Sequence, residues 1–328
     1  MEFMKRMKPV LLIIITTLAL QLQAQQLTPA EMKDFRIRQD SLKKLAFNIV
    51  NDQSAAVRFR SDSTFTKIMV RALLKQYSFQ FPFDSLQSIS RLYSDDSVFR
   101  IFTWQVVKDD NYCRQRGFIQ MKTKDGSLRL FPLRDVSEFT QAPVDTIANN
   151  MGWIGAVYYR IVMKEHEGRK LYTLFGYDEN SIRTTRKWLD VLWFDEMGAP
   201  VFGRSNVFSF VKDSVPKPPV NRFLLEYKKD ARARVQYDEE TGIIIFDHLI
   251  SESNEPQKKY TLIPDGDYEG FEWKNGQWLH IDKVFDFKLK DGEAPVPEAL
   301  DENKQKVNKT SPPKKPATPV KKKPGGGS

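Results

Sequence analysis

The stretch Val98–Val107, VFRIFTWQVV, decides the fold. It is dense in β-branched and aromatic residues, so it reads as a strand. Upstream the hydrophobic period is different. Thr28-Pro29-Ala30-Glu31 has the composition of a helix start, with a capping hydroxyl, proline in the first turn and an acid three residues on. Met32, Phe35, Leu42, Leu45, Ala46, Ile49 and Val50 follow at helical spacing, opposite Lys33, Arg36, Lys43 and Lys44. The pattern predicts an amphipathic helix to about residue 52, a second from near Asp62 through Leu73, and a short third over Leu86–Leu92.

Downstream the strand pattern continues. Arg116–Thr123 and Ser127–Leu133 flank Asp125-Gly126, and Ala156–Met163 and Lys170–Tyr177 form a second expected hairpin. Trp188–Phe194, WLDVLWF, is apolar on both faces and is expected to be a central strand covered twice. Val201–Phe210, Arg222–Tyr227, Arg234–Tyr237, Ile243–Leu249, Lys259–Ile263, Gly270–Trp273 and Trp278–Ile281 complete the set, the last two joined by Asn275-Gly276. That dipeptide suits a two-residue hairpin. The expected architecture is α+β and β-dominated. N-terminal helices pack on a large, mostly antiparallel sheet, curved or two-layered, with closure toward a barrel as the variant.

The 328 residues carry a formal net charge of +9, but unevenly. Residues 303–328 hold eight lysines and no acid, and residues 1–24 add a net +2, which leaves −1 for residues 25–302. A nucleic-acid-binding body needs a concentrated basic face, so no nucleic-acid partner is expected. Lys5, Arg6 and Lys8 precede the apolar run Val10–Leu20 and the small residue Ala24. That order reads as a signal peptide over residues 1–24, with an uncleaved anchor as the other reading. The run is too short to span a bilayer as a helix, so no integral membrane span is expected in the mature chain. Four segments result: signal peptide 1–24, helical segment 25–93, antiparallel β domain 94–290, and a disordered lysine/proline-rich tail 291–328. The tail's charge would draw it to an anionic envelope surface. Cys113 is the only cysteine, which excludes an intrachain disulfide and a cysteine zinc cluster, and an unpaired thiol in an exported protein is expected to be buried.

Catalytic signals are sparse. No G-x-S-x-G elbow, H-E-x-x-H pair, Walker loop or dinucleotide glycine fingerprint occurs. Asp247 and His248 stand together at a strand end and are the candidate acid/base pair, although neighbours on a strand point to opposite faces. Asp265, Asp267 and Glu269 carry the first half of a calcium-loop spacing, but Gly276 stands where the bidentate acid belongs. They are the candidate metal residues, with Ca²⁺ the ion considered and no organic cofactor expected. His166 sits in a hairpin turn, and the six tryptophans are core fillers or a carbohydrate-stacking surface.

Several segments carry a resemblance together: FPFDSL at Phe81–Leu86, FRIFTW at Phe99–Trp104, GFIQ at Gly117–Gln120, YTLFGYD at Tyr172–Asp178, VLWFD at Val191–Asp195, PVFG at Pro200–Gly203, IFDHL at Ile245–Leu249 and YEGF at Tyr268–Phe271. The chain resembles a group of secreted, β-rich proteins of Bacteroidetes-type bacteria that has no assigned activity. The resemblance implies export in a two-membrane bacterium, to the periplasm, the outer envelope or the exterior, and supplies no catalytic residues. The leading functional expectation is therefore a non-enzymatic exported envelope protein with a binding or structural role. The alternatives are a hydrolase of envelope polymers using a carboxylate pair such as Asp265 with Asp267 or Asp195 with Glu196, and a carrier of lipid or another small ligand. Export is checked by mass spectrometry of the processed chain, which is expected to begin at Gln25; retention of Met1–Ala24 would contradict it.

Overall fold

Thr28 starts the first helix as the sequence predicts. Its hydroxyl accepts from the Glu31 backbone N–H at 3.3 Å, and the Glu31 carboxylate accepts from the Thr28 N–H at 2.8 Å. Helix α1 runs Pro29–Asn51 and α2 runs Ala55–Leu73. The second helix begins seven residues before the expected start near Asp62. Asp62 is buried in mid-helix, where its carboxylate accepts from Trp104 Nε1 at 2.8 Å and from Arg116 Nη2 at 3.0 Å. The expected third helix is not formed: residues 84–88 are turns, and the chain enters its first strand at Ser90.

The computed structural model describes residues 27–285, so the expected signal peptide and lysine/proline tail lie outside the described residues. Strands β1 (Ser90–Tyr93), β2 (Phe99–Asp109), β3 (Tyr112–Met121) and β4 (Arg129–Leu133) form one sheet in that order. There follow β5 (Ala148–Asn149), β6 (Val157–His166), β7 (Arg169–Asp178), β8 (Thr184–Phe194), β9 (Pro200–Phe202), β10 (Phe208–Ser209) and β11 (Phe223–Lys228). The last strands are β12 (Val235–Asp238), β13 (Ile243–Ser251), β14 (Leu262–Lys274) and β15 (Gln277–Ile281). A second sheet has the order β5-β9-β8-β7-β6, with β11 paired to the first half of β8, and a third has the order β10-β15-β14-β13-β12. All strand pairs are antiparallel except β10 with β15. The fold is therefore α+β and β-dominated with helices on antiparallel sheet, and no closed barrel occurs among the described residues.

Side-chain alternation on the strands builds three cores between four layers. Phe102, Trp104 and Val106 of β2 face the helices and meet Phe35, Leu42, Phe65 and Met69. Phe99 and Ile101 face the second sheet and meet Tyr158, Tyr172, Leu174 and Leu192. Leu171, Phe175, Leu189 and Val191 face the third sheet and meet Ile244, Phe246, Phe271 and Trp278. Strand β8 is thus covered on both faces, as its run Trp188–Phe194, apolar apart from Asp190, predicts.

Two buried cations lock the layers. Arg100, fully buried, points to the helical side of β2 and donates to the carbonyls of Ser78 and Phe81 and to Gln120 Oε1. Phe79, Phe83, Tyr93 and Phe102 ring its guanidinium at 5.1–5.6 Å, and burial pulls it down to about 10. Asp190 of β8 lies 3.2 Å from Arg222 Nη1, with both side chains buried. Burial pushes the Asp190 carboxyl up and Arg222 opposes it. At the tip of the β14–β15 hairpin, Gly276 has φ +80°, and a Cβ there would come within 2.3 Å of the His166 ring on the β6–β7 turn. Only glycine meets both conditions.

Removing one member of a buried ion pair strands the other, so Arg222→Met is expected to cost about 3–5 kcal/mol, and Asp190→Leu with Arg222→Met to recover most of it. Urea denaturation midpoints measure both. Gly276→Ala is expected to cost about 1–2 kcal/mol in the same assay through the left-handed backbone and the His166 contact.

Candidate functional site

The predicted acid/base and metal residues all lie on β13 and β14, where the ladder skips. Asp247 pairs with Tyr268, but Leu249 pairs with Pro264, so His248 faces residues 265–267 of a wide bulge. Gly266, at φ +98°, turns the bulged chain. Asp265, Asp267 and Glu269 thereby lie within one continuous strand. His248 Nδ1 comes within 2.9 Å of Asp265 Oδ2, and its Nε2 lies 3.6 Å from Glu269 Oε1. The other oxygen of Glu269 is 2.8 Å from His280 Nε2, and His280 Nδ1 is 2.8 Å from Asp213 Oδ1. The result is an alternating row: Asp265, His248, Glu269, His280, Asp213. Burial works against a charged His280 ring, and its hydrogen bonds to Glu269 and Asp213 overcome this, so it holds its proton above the ordinary histidine range.

The structure thus joins His248, Asp265 and Glu269, which came from two separate readings. Asp247 goes to the other side, where its carboxylate accepts from the Arg234 backbone N–H at 2.6 Å. Asp267 lies 3.4 Å from Lys283. Asp195 is occupied by the backbone N–H groups of Met197 and Ala199, at 2.9 and 2.8 Å. Trp104, Trp153, Trp188 and Trp278 are core residues, and Trp193 and Trp273 pack partly against the core. Cys113 is half-buried, with Sγ 3.4 Å from Gln105 Oε1, and burial together with Asp178 and Glu179 pushes its thiol up.

A groove that the sequence did not single out has stronger binding character. It holds about 580 Å³ and lies between the second and third sheets, lined by Tyr177, Lys187 and Tyr227 on one side and Ala233–Gln236 on the other. The cause is local. Thr185, Lys187, Leu189 and Val191 share one face of β8; the last two close the apolar core, and Lys187 extends that face beyond it. The Lys187 ammonium sits 4.7 Å from the Tyr159 ring centroid and 5.0 Å from that of Tyr177. It makes no hydrogen bond or ion pair among the described residues, and burial lowers its pKa below the ordinary lysine range. Lys229, Arg232 and Arg234 add positive charge to the lining, against Glu179 and Asp230. Glu179 is already paired with Lys229 at 2.7 Å. The Tyr159 hydroxyl donates to the Val235 carbonyl at 2.8 Å, tying the two walls together.

Comparison with protein-family models, curated proteins and solved structures finds no match. Geometry alone therefore carries the site. Lys187 is legible after the fact as the one cation on the face of β8 that Thr185, Leu189 and Val191 share. His280 and Asp213 have no comparable signal, because 67 residues separate them. A further consequence concerns the walls: Tyr159→Phe removes a hydroxyl that bonds backbone across the groove and is expected to cost about 1 kcal/mol by urea denaturation, without altering the sheets by circular dichroism.

Proposed function

We propose that this is an exported envelope protein whose groove beside Lys187 binds a small anionic group, a carboxylate or phosphate carried on a cell-envelope molecule. The observation that carries this reading is the Lys187 ammonium, held between two tyrosine rings in an accessible groove with no acceptor of its own. A desolvated cation without an anion gains from acquiring one, because charge-assisted hydrogen bonds are worth more than neutral ones where water is thinned. The neighbouring guanidinium groups of Arg232 and Arg234 suit the planar oxygens of a carboxylate or phosphate. Export is supported by the charge and apolar order of residues 1–24, and the lysine-rich tail would favour the same anionic surroundings.

No catalytic step is needed for this role. Polymer hydrolysis by a carboxylate pair draws less support, since Asp195, Asp265 and Asp267 are each held by a backbone donor, an imidazole or an ammonium.

The test is calorimetric titration with galacturonate, glucose 6-phosphate and uncharged glucose. The two anions are expected to bind and glucose is not; the stronger of the two identifies the source. Lys187→Met is expected to weaken binding about tenfold or more, the size of a lost charged hydrogen bond. Because Lys187 loses its proton below the ordinary lysine range, affinity is expected to fall with rising pH before exposed lysines titrate. Equal binding of glucose and the anions, or an undiminished Lys187→Met variant, would overturn the proposal.

A further inference from the structure

We propose that Asp213, His280 and Asp282 form a site for one divalent transition-metal ion of the zinc class. One ligand atom from each residue lies within 4.8 Å of the others. His280 Nδ1 is 2.8 Å from Asp213 Oδ1 and 3.4 Å from Asp282 Oδ1. An imidazole with two carboxylates suits zinc and its neighbours and not calcium, which takes oxygen ligands.

Three features separate this cluster from an acidic patch. First, Glu269 accepts from His280 Nε2 at 2.8 Å. A carboxylate on the far nitrogen is the usual way a metal-binding imidazole is oriented; Nδ1, now hydrogen-bonded to Asp213, would release its proton to solvent on taking the ion. Second, the ring is fixed by packing: Phe210, Phe246 and Phe271 stand 5.1, 5.9 and 5.2 Å from it. That wall keeps water from one side and strengthens any charge interaction inside. Third, the charges do not balance. Asp213 is buried, and the nearest ammonium, Lys217, is exposed and 4.0 Å away. Two more carboxylates, Asp282 and Glu269, contact the same imidazole. Three carboxylates thus converge on one imidazole, an excess of acidic groups that a divalent ion would offset.

The site joins two chain segments. Asp213 lies just beyond β10, and Asp282 follows β15; the Ser214 N–H donates to Asp282 Oδ2 at 3.3 Å. Asp282 is half exposed, so coordination positions beyond the three protein ligands open toward solvent. Such an open position admits water or an exogenous donor. The inference is independent of the Lys187 groove and shares no residue with it.

The test is titration of the chelator-treated, dialysed chain with zinc chloride at neutral pH, followed by calorimetry and by the imidazole ¹⁵N resonances. One equivalent is expected to bind, with His280 Nδ1 moving to a metal-bound shift while Nε2 stays a hydrogen-bond donor. Asp282→Asn, at a half-exposed position that should leave folding intact, is expected to weaken zinc about tenfold or more, and Glu269→Gln by about 10–100-fold. Unchanged His280 resonances at millimolar zinc would overturn the proposal and leave a protonated imidazole bridging two carboxylates. Binding unaffected by Asp282→Asn would also overturn it, placing the ion elsewhere.

Discussion

The double burial of β8 is the constraint on which the remaining structure depends. Its Trp188 and Leu192 enter the core shared with the first sheet, while Leu189 and Val191 enter the core shared with the third. A strand buried on both faces cannot slip by one residue without exchanging these two sets. The exchange would also move Asp190 away from Arg222, leaving two buried charges apart, each costing several kcal/mol. The ion pair therefore fixes register as much as it adds stability. The helical layer is fixed by a different cation, Arg100, whose guanidinium satisfies the carbonyls of the Ser78–Phe81 turn that no regular ladder reaches.

The binding groove follows from the same strand. Alternation continues past the apolar residues to Lys187, so a long cationic side chain emerges at the rim of a core instead of in open water. Tyrosine rings take the place of hydration around its ammonium, which is worth more once the site is partly desolvated. On the third sheet the inner face changes character in an analogous way. Phe246 and Phe271 are core residues, His280 stands beside Phe271 on β15, and Glu269 and His248 follow toward the bulge. Both polar sites thus sit where an inter-sheet core runs out.

Much of the architecture was legible from residue pattern. The Thr28 cap, the Asn275-Gly276 hairpin and the twice-covered Trp188–Phe194 strand follow from local chemistry, and the structure has them. Asp62 shows why some local readings fail. The apolar stripe from Phe65 onward puts a helix start near Asp62, but a tertiary partner, Trp104, claims this acid inside the helix. The segment Asp265–Glu269 reads as part of a calcium loop because its bulge partner, His248, lies 17 residues away. The candidate acids were found by type, and their grouping was not, since partners such as His280 and Asp213 stand 67 residues apart in sequence on neighbouring edges of the third sheet. Lys187 was missed because a lone lysine in a strand is ordinarily a solvated residue, and only the neighbouring Tyr159 and Tyr177 rings make it otherwise.

The central claim is that Lys187 holds a desolvated charge still lacking its anion. The most direct measurement is the titration midpoint of Lys187 by ¹³C-lysine NMR, assigned with Lys187→Arg, in the free protein and again with saturating galacturonate or glucose 6-phosphate. The expected result is a free-state midpoint below those of the exposed lysines that rises when the anion binds. A midpoint at the ordinary lysine value, unmoved by either anion, would contradict the account.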